Sequence, residues 1–253
     1  MLHQFANPIK FLRLADVVQP WFAGLTLLLI VTGLYFGLFL SPDDYQQGAT
    51  VRIMYLHVPA AWMSLFCYSM LAIGSGVSLI WKHPLADIAA RATAPIGACF
   101  TFLALGTGAL WGKPMWGTWW VWDARLTSVL ILLFLYLGYI ALNNAFDDPE
   151  RASKASAILA LVGFVNVPII KFSVDWWNTL HQPASVLKMG GPAIHSSMLI
   201  PLILMALAFK TYYIWVLLLR MRGEINIQKI RSLRIRLTLR SHADENVVSN
   251  KTG

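Results

Sequence analysis

Two histidines and a cluster of tryptophans carry the chemistry this sequence can offer. His57 stands in Tyr55-Leu56-His57-Val58-Pro59, and His181 closes Trp176-Trp177-Asn178-Thr179-Leu180-His181. Between them runs Trp111-Gly-Lys-Pro-Met-Trp116-Gly117-Thr-Trp119-Trp120-Val-Trp122-Asp123-Ala-Arg125, with five of the 11 tryptophans inside 12 residues. Neutral imidazole is a good iron ligand, and haem iron takes its axial ligands from opposite faces. Rings at this density offer a flat apolar surface for a planar ligand. An interfacial aromatic belt is the competing reading, but a belt spreads its rings over many helix ends. Asp123 precedes an apolar run and so also reads as a helix N-cap. Arg125 could pair with Asp123 or offer its fork to a ligand carboxylate.

Other chemistries find no support. The sequence has no Cys-x-x-Cys or His-Glu-x-x-His zinc pattern and no Walker loop. It also lacks a Gly-x-Ser-x-Gly nucleophile elbow. Cys67 and Cys99 fall within apolar runs, where they read as small apolar residues.

The elements that must position these side chains follow from where charge is missing. The chain has 253 residues, 57% of them apolar and only 13% charged, against about 25% charged in a soluble domain. Mean hydropathy is +0.60. Stretches free of Asp, Glu, Lys and Arg run over Trp21–Leu40, Ile53–Trp81, Ala92–Gly112, Leu126–Phe146, Ala155–Ile170 and Met189–Phe209. After Lys210 the last resumes to Leu219. A spanning helix needs about 20 apolar residues, so the expectation is an all-α polytopic membrane protein with six transmembrane helices. Residues 1–20 read as an interfacial helix, capped by Asn7-Pro8 and stopped by Pro20, and not as a cleavable signal. Residues 21–219 form the membrane domain and 220–253 a basic tail, a surface segment on anionic lipid or a docking segment for another protein. Lys210 reads as snorkelling from one end of span six, with a functional intramembrane cation as the alternative.

Six spans put the first, third and fifth connections on one side. With both termini inside, Lys and Arg number fourteen within and five outside, Lys188 among the five. The net charge of +8 is then mostly a cytoplasmic tail and gives no reason to expect nucleic acid. His57, His181, His195 and the tryptophan connection share the outer side. His3, His83 and His242 fall in polar segments. Arg52 and Arg125 are the outer arginines near the constellation and the candidates for holding two haem propionates.

Trp116-Gly117-x-x-Trp120-x-Trp122-Asp123 fits the tryptophan-rich signature of haem-handling proteins, with Trp119 on a variable position. Within that superfamily the chain resembles the haem exporter protein C (cytochrome c maturation protein C) family. Tyr55–Ala60, Trp111–Met115, Asp123–Ser128 and Trp176–His181 support the likeness, which covers roughly residues 40–182. The resemblance implies a non-enzymatic protein that holds haem b at the periplasmic face of a bacterial inner membrane and delivers it to a chaperone, protein E. It implies axial ligation by His57 and His181. Trp116, Gly117, Trp119, Trp120, Trp122, Asp123, Arg125 and Arg52 are the candidate haem contacts. The resemblance further implies work beside three other components of an ABC-type complex: the ATP-binding protein A, the membrane protein B and the small membrane protein D. A purely structural permease component and a haem lyase acting directly on apocytochrome c are the rivals.

Overall fold

A computed structural model describes residues 7–177, 179–181, 186, 191–192 and 194–252, with the side chains of 235, 236 and 239 onward outside the description. The chain is 85% helical, and the described residues contain no strand. Six helices are long and apolar enough to cross a membrane: Pro8–Leu40, Ala49–Trp81, Pro84–Trp116, Ala124–Asn144, Pro149–Trp176 and Ser196–Arg234. The expected six-span, all-α architecture is met. Met189, the expected start of the sixth span, and Lys188 lie outside the described residues.

The first helix, α1 (Pro8–Tyr35), starts as its sequence asks. Asn7 Oδ1 accepts from the Ile9 amide at 2.9 Å, with Pro8 in the first turn. The helix does not stop at Pro20. It runs through and ends in a π-helical turn, Phe36–Leu40. The reason is α7 (Ser196–Thr252), which splints α1 on both sides of the proline. Phe11 and Leu12 pack near Met221 and Ile225 of α7, while Gly33 lies against Met205. Asp16 is ion-paired with Arg222 at 2.7 Å, and the same guanidinium donates to Gln19 at 2.5 Å.

A 3-10 turn, Ala49–Ile53, leads into α2 (Met54–Trp81). Residue Lys82 at φ 49° turns the chain into α3 (Pro84–Trp116). Helices α2 and α3 lie along each other, and α4 (Ala124–Asn144) packs on α3. The α3–α4 approach depends on Gly97: a Cβ there would sit 2.2 Å from the Tyr136 ring. Tyr136 is fully buried and donates to the Ser64 carbonyl at 2.8 Å, tying α4 to α2 as well.

The fifth span, the shortest in the sequence, is two helices, α5 (Pro149–Gly163) and α6 (Asn166–Trp176). Buried Asn166 closes the break by donating to the Ser128 carbonyl at 2.8 Å. The sixth span continues without a break through residue 220. Met221 and Ile225 are buried with Leu85, Ile88 and Ala92 of α3, so packed helix extends past the expected start of the tail.

Candidate functional site

One end of the bundle gathers the start of α2, the end of α3, the start of α4 and the end of α6. His57 occupies the first turn of α2. Its Nδ1 lies 3.0 Å from the Ala104 carbonyl and 3.2 Å from Thr107 Oγ1. A carbonyl only accepts, so Nδ1 carries the proton and Nε2 keeps its lone pair. The Thr107 hydroxyl spends its own proton on the Leu103 carbonyl at 2.6 Å. Gly108 makes room for the ring, because a Cβ there would lie 3.0 Å from His57 Cε1. Trp111 meets the imidazole edge to face at 5.6 Å and is held by its own Nε1–H to Gln47 at 3.0 Å.

His181 reaches the same tautomer by another route. Its Nδ1 lies 3.1 Å from Asp123 Oδ2, and the carboxylate can only accept. Asp123 is buried, and its other oxygen caps α4 by accepting from the Leu126 amide at 2.7 Å. The N-cap reading of Asp123 is met by one oxygen, while the other holds His181. Trp116 meets the His181 ring at 5.0 Å. Burial pushes the imidazole below its ordinary value, opposed by the hydrogen bond and charge of Asp123 and assisted by the charge of Arg125. His181 is thus neutral at pH 7, and among the described residues its Nε2 has no hydrogen-bond partner.

The tryptophan segment is less of a loop than its sequence suggests. Trp111 and Trp116 belong to the last turns of α3, which runs through Lys113 and Pro114. Gly117 ends the helix at φ 76°, where a side chain would be strained, and its amide donates to the Lys113 carbonyl at 3.0 Å. Only residues 117–123 are non-helical. The rings do not form one flat sheet: Trp120 and Trp122 meet at 75° with centroids 5.5 Å apart. Edge-to-face contact suits their quadrupoles. Trp119 and Trp122 are exposed, and Trp119 lies near the Lys113 ammonium. The Trp120 indole nitrogen is buried without an acceptor among the described residues.

Arg125 does not pair with Asp123. Its Nε donates to Ser173 Oγ at 3.1 Å and its Nη2 approaches the Ile170 carbonyl at 3.5 Å, which ties α4 to the end of α6. Arg52 pairs with Asp43 at 3.0 Å, while its Nε is buried without a partner among the described residues. His195 serves the start of α7: its Nδ1 accepts from the Ser197 amide at 3.3 Å. His83, expected to be solvated, caps α3 by accepting from Ala86 at 3.3 Å. His3 lies outside the described residues, as does the side chain of His242. Sequence reasoning missed Thr107, the Ala104 carbonyl, Gly108, Gln47 and Ser173. The polar pair Thr107-Gly108, one turn before Trp111 in an apolar run, was the available signal.

Fit to a haem can be judged from the donors. Among the described residues no cluster of three or more His, Cys, Asp or Glu could hold a bare metal ion. Two neutral imidazoles with free Nε2 atoms suit an iron whose other four positions a tetrapyrrole fills. The orphaned donors on Trp120 and Arg52 suit carboxylates. The residues present fit.

Fold and site together define a multi-pass membrane protein that shows two like-tautomer imidazoles beside tryptophans at one end of its bundle. A family model described as heme exporter protein C matches residues 1–236. The chain belongs to the heme exporter protein C family, whose members are components of cytochrome c maturation. It is 59% identical to the heme exporter protein C of Bradyrhizobium diazoefficiens over 234 residues, covering 92% of this chain and 89% of that one. Identity to the Escherichia coli heme exporter protein C is 47% over 231 residues, 91% and 93% of the two chains. A putative cytochrome c biosynthesis ccmC-like mitochondrial protein of Marchantia polymorpha is 50% identical over 186 residues, 74% of this chain and 78% of that one.

Proposed function

We propose that this chain binds haem b as cargo at the outer face of a bacterial inner membrane and hands it to the haem chaperone, protein E. The observation that carries the reading is the matched pair of imidazoles, each with Nδ1 engaged by a fixed acceptor and Nε2 free. A hydrogen bond to the non-ligating nitrogen is the usual means of fixing tautomer and ring orientation at a metal. His57 and His181 are the axial ligands. Trp116, Gly117, Trp119, Trp120, Trp122 and Asp123 line or shape the surface against which the macrocycle rests. Arg52 and Arg125 supply positive charge for its propionates, and Trp120 Nε1 supplies a neutral donor.

The chain binds, orients and releases, and no bond-making residue is needed. Nucleotide hydrolysis belongs to the separate ATP-binding protein A, with membrane proteins B and D completing an ABC-type complex. Both termini face the cytoplasm, because that orientation keeps fourteen of the cations on the inner side. Residues 1–20 are interfacial, 21–219 span the membrane, and the basic extension beyond α7's packed part lies against anionic lipid.

The test is the reduced-minus-oxidised spectrum of the purified chain, with His57→Ala and His181→Ala beside it. The wild type should carry haem with two nitrogen ligands. Each variant should lose that signature and load the chaperone at least about tenfold less well. Wild-type spectra and full loading in both variants would remove the assignment, and a wild-type chain without haem would favour a purely structural permease role.

A further inference from the structure

The sequence reads Lys210 as snorkelling to the membrane surface, and the structure differs. Its ammonium lies 3.4 Å from the centroid of the Phe66 ring. Phe66 is near the middle of the 28-residue α2, about 18 Å of helix from its start and about 22 Å from its end. Lys210 itself is about 21 Å along α7 from Ser196. Side chains on a helix lean toward its N-terminus, so the lysine reaches back toward the bilayer middle. Lys210 is exposed, and among the described residues it has no hydrogen-bond or ion-pair partner.

A cation at that depth costs about 2.5–3.5 kcal/mol, and one aromatic face offsets only part of it. Lipid tails provide no anion. A second copy of this chain provides none either, because its six charge-free stretches contain no Asp or Glu. Around the ammonium the surface is apolar and open: Ile200, Ile203 and Leu207 are exposed on the Lys210 face of α7, and Met70 is exposed on α2. From the unpaired charge and its depth we infer that this face of α2 and α7 docks a transmembrane helix of a different protein, one bearing an Asp or Glu near the bilayer middle. The ion pair forms across the interface, in the low-dielectric medium where such pairs are most selective. This inference does not depend on the haem reading.

The test is photo-crosslinking of the full chain in native membranes, with benzoylphenylalanine in place of Leu207. The adduct should map to a membrane segment of a different chain within about one helical turn of an acidic residue. Lys210→Met should cut the yield by roughly tenfold or more, and Lys210→Arg should keep it. Exchanging the two charges, Lys210→Glu with lysine at the partner carboxylate, should restore it. A probe at Phe102, exposed on α3, should be indifferent to Lys210. The isolated Lys210→Met chain should melt no lower than wild type, since methionine packs well on Phe66. Adducts only to lipid or to a second copy would overturn the inference. So would adducts to a segment without an acid, unchanged yield in Lys210→Met, or a lower melting temperature of that variant alone.

Discussion

Asp123 does two jobs with two oxygens, and substitution can separate them. Asp123→Ala removes the α4 cap, at about 1 kcal/mol, together with the anchor of His181. Asp123→Asn keeps an oxygen for the Leu126 amide but turns an amide donor toward His181. That donor favours the tautomer with Nε2 protonated, which blocks the ligand atom. The alanine variant should therefore lose both melting temperature and haem affinity. The asparagine variant should lose about 10- to 100-fold in haem affinity at nearly unchanged melting temperature, measured by haem titration and thermal unfolding. The pH dependence has a definite sign. The fold favours neutral His181, so its contribution is full above the free-imidazole value of about 6.5 and is lost as pH falls through the lowered value in the protein. Haem occupancy should stay flat from pH 8 to 6.5 and decline only below, as followed by absorbance. Residue types made His57, His181 and Asp123 legible in the sequence. The Ala104 carbonyl that holds His57 was not, because a backbone acceptor has no residue signature. The rotation of Arg125 away from Asp123 was equally hidden, since Ser173 lies on a helix whose break at Gly163–Asn166 sets its approach.

At the scale of elements, glycines decide how near the helices come. Gly97→Ala would drive a Cβ into Tyr136, and α3 and α4 should separate at a cost of about 1–3 kcal/mol, measured as a lower unfolding temperature. Gly108→Ala makes a milder demand, a shift of the His57 ring by a few tenths of an ångström. Its expected effect is a changed haem spectrum with little loss of stability. Spans were legible because a bilayer forbids charge over some 20 residues. Their ends were not. Pro20 reads as a stop and Pro114 falls in the third connection, yet each lies inside a helix. Pro20 is splinted by α7, while Pro114 falls in the final turns of α3, where the carbonyls it leaves free are near the helix end.

For the molecule as a whole, the end opposite the histidines is built as firmly as theirs. Arg222 clamps Asp16 and Gln19 of α1, and Met221 and Ile225 bury against α3. Truncation after Arg234 should leave stability and membrane insertion intact. Truncation before Arg222 should lower the unfolding temperature by several degrees, removing the clamp and a small core together. Sidedness has its own test. A cysteine at Trp119 should react with an impermeant maleimide in intact cells, and one at Ile227 should react only after lysis. The sequence carried the parity of the connections, through the count of spans. It did not show α7 as one helix of 57 residues, because the alternating apolar residues from Leu233 to Leu239 mask helical periodicity.

The two imidazoles differ in what fastens them. His57 is rooted in a helix turn and locked to a second helix through a main-chain carbonyl. His181 follows α6, and its ring is held by the Asp123 carboxylate and packed against Trp116. In the proposed hand-over, the ligand fastened by a side chain would yield before the one built into a helix, so the acceptor would meet haem at the His181 face while His57 keeps its hold. Direction would then follow from the anchoring alone.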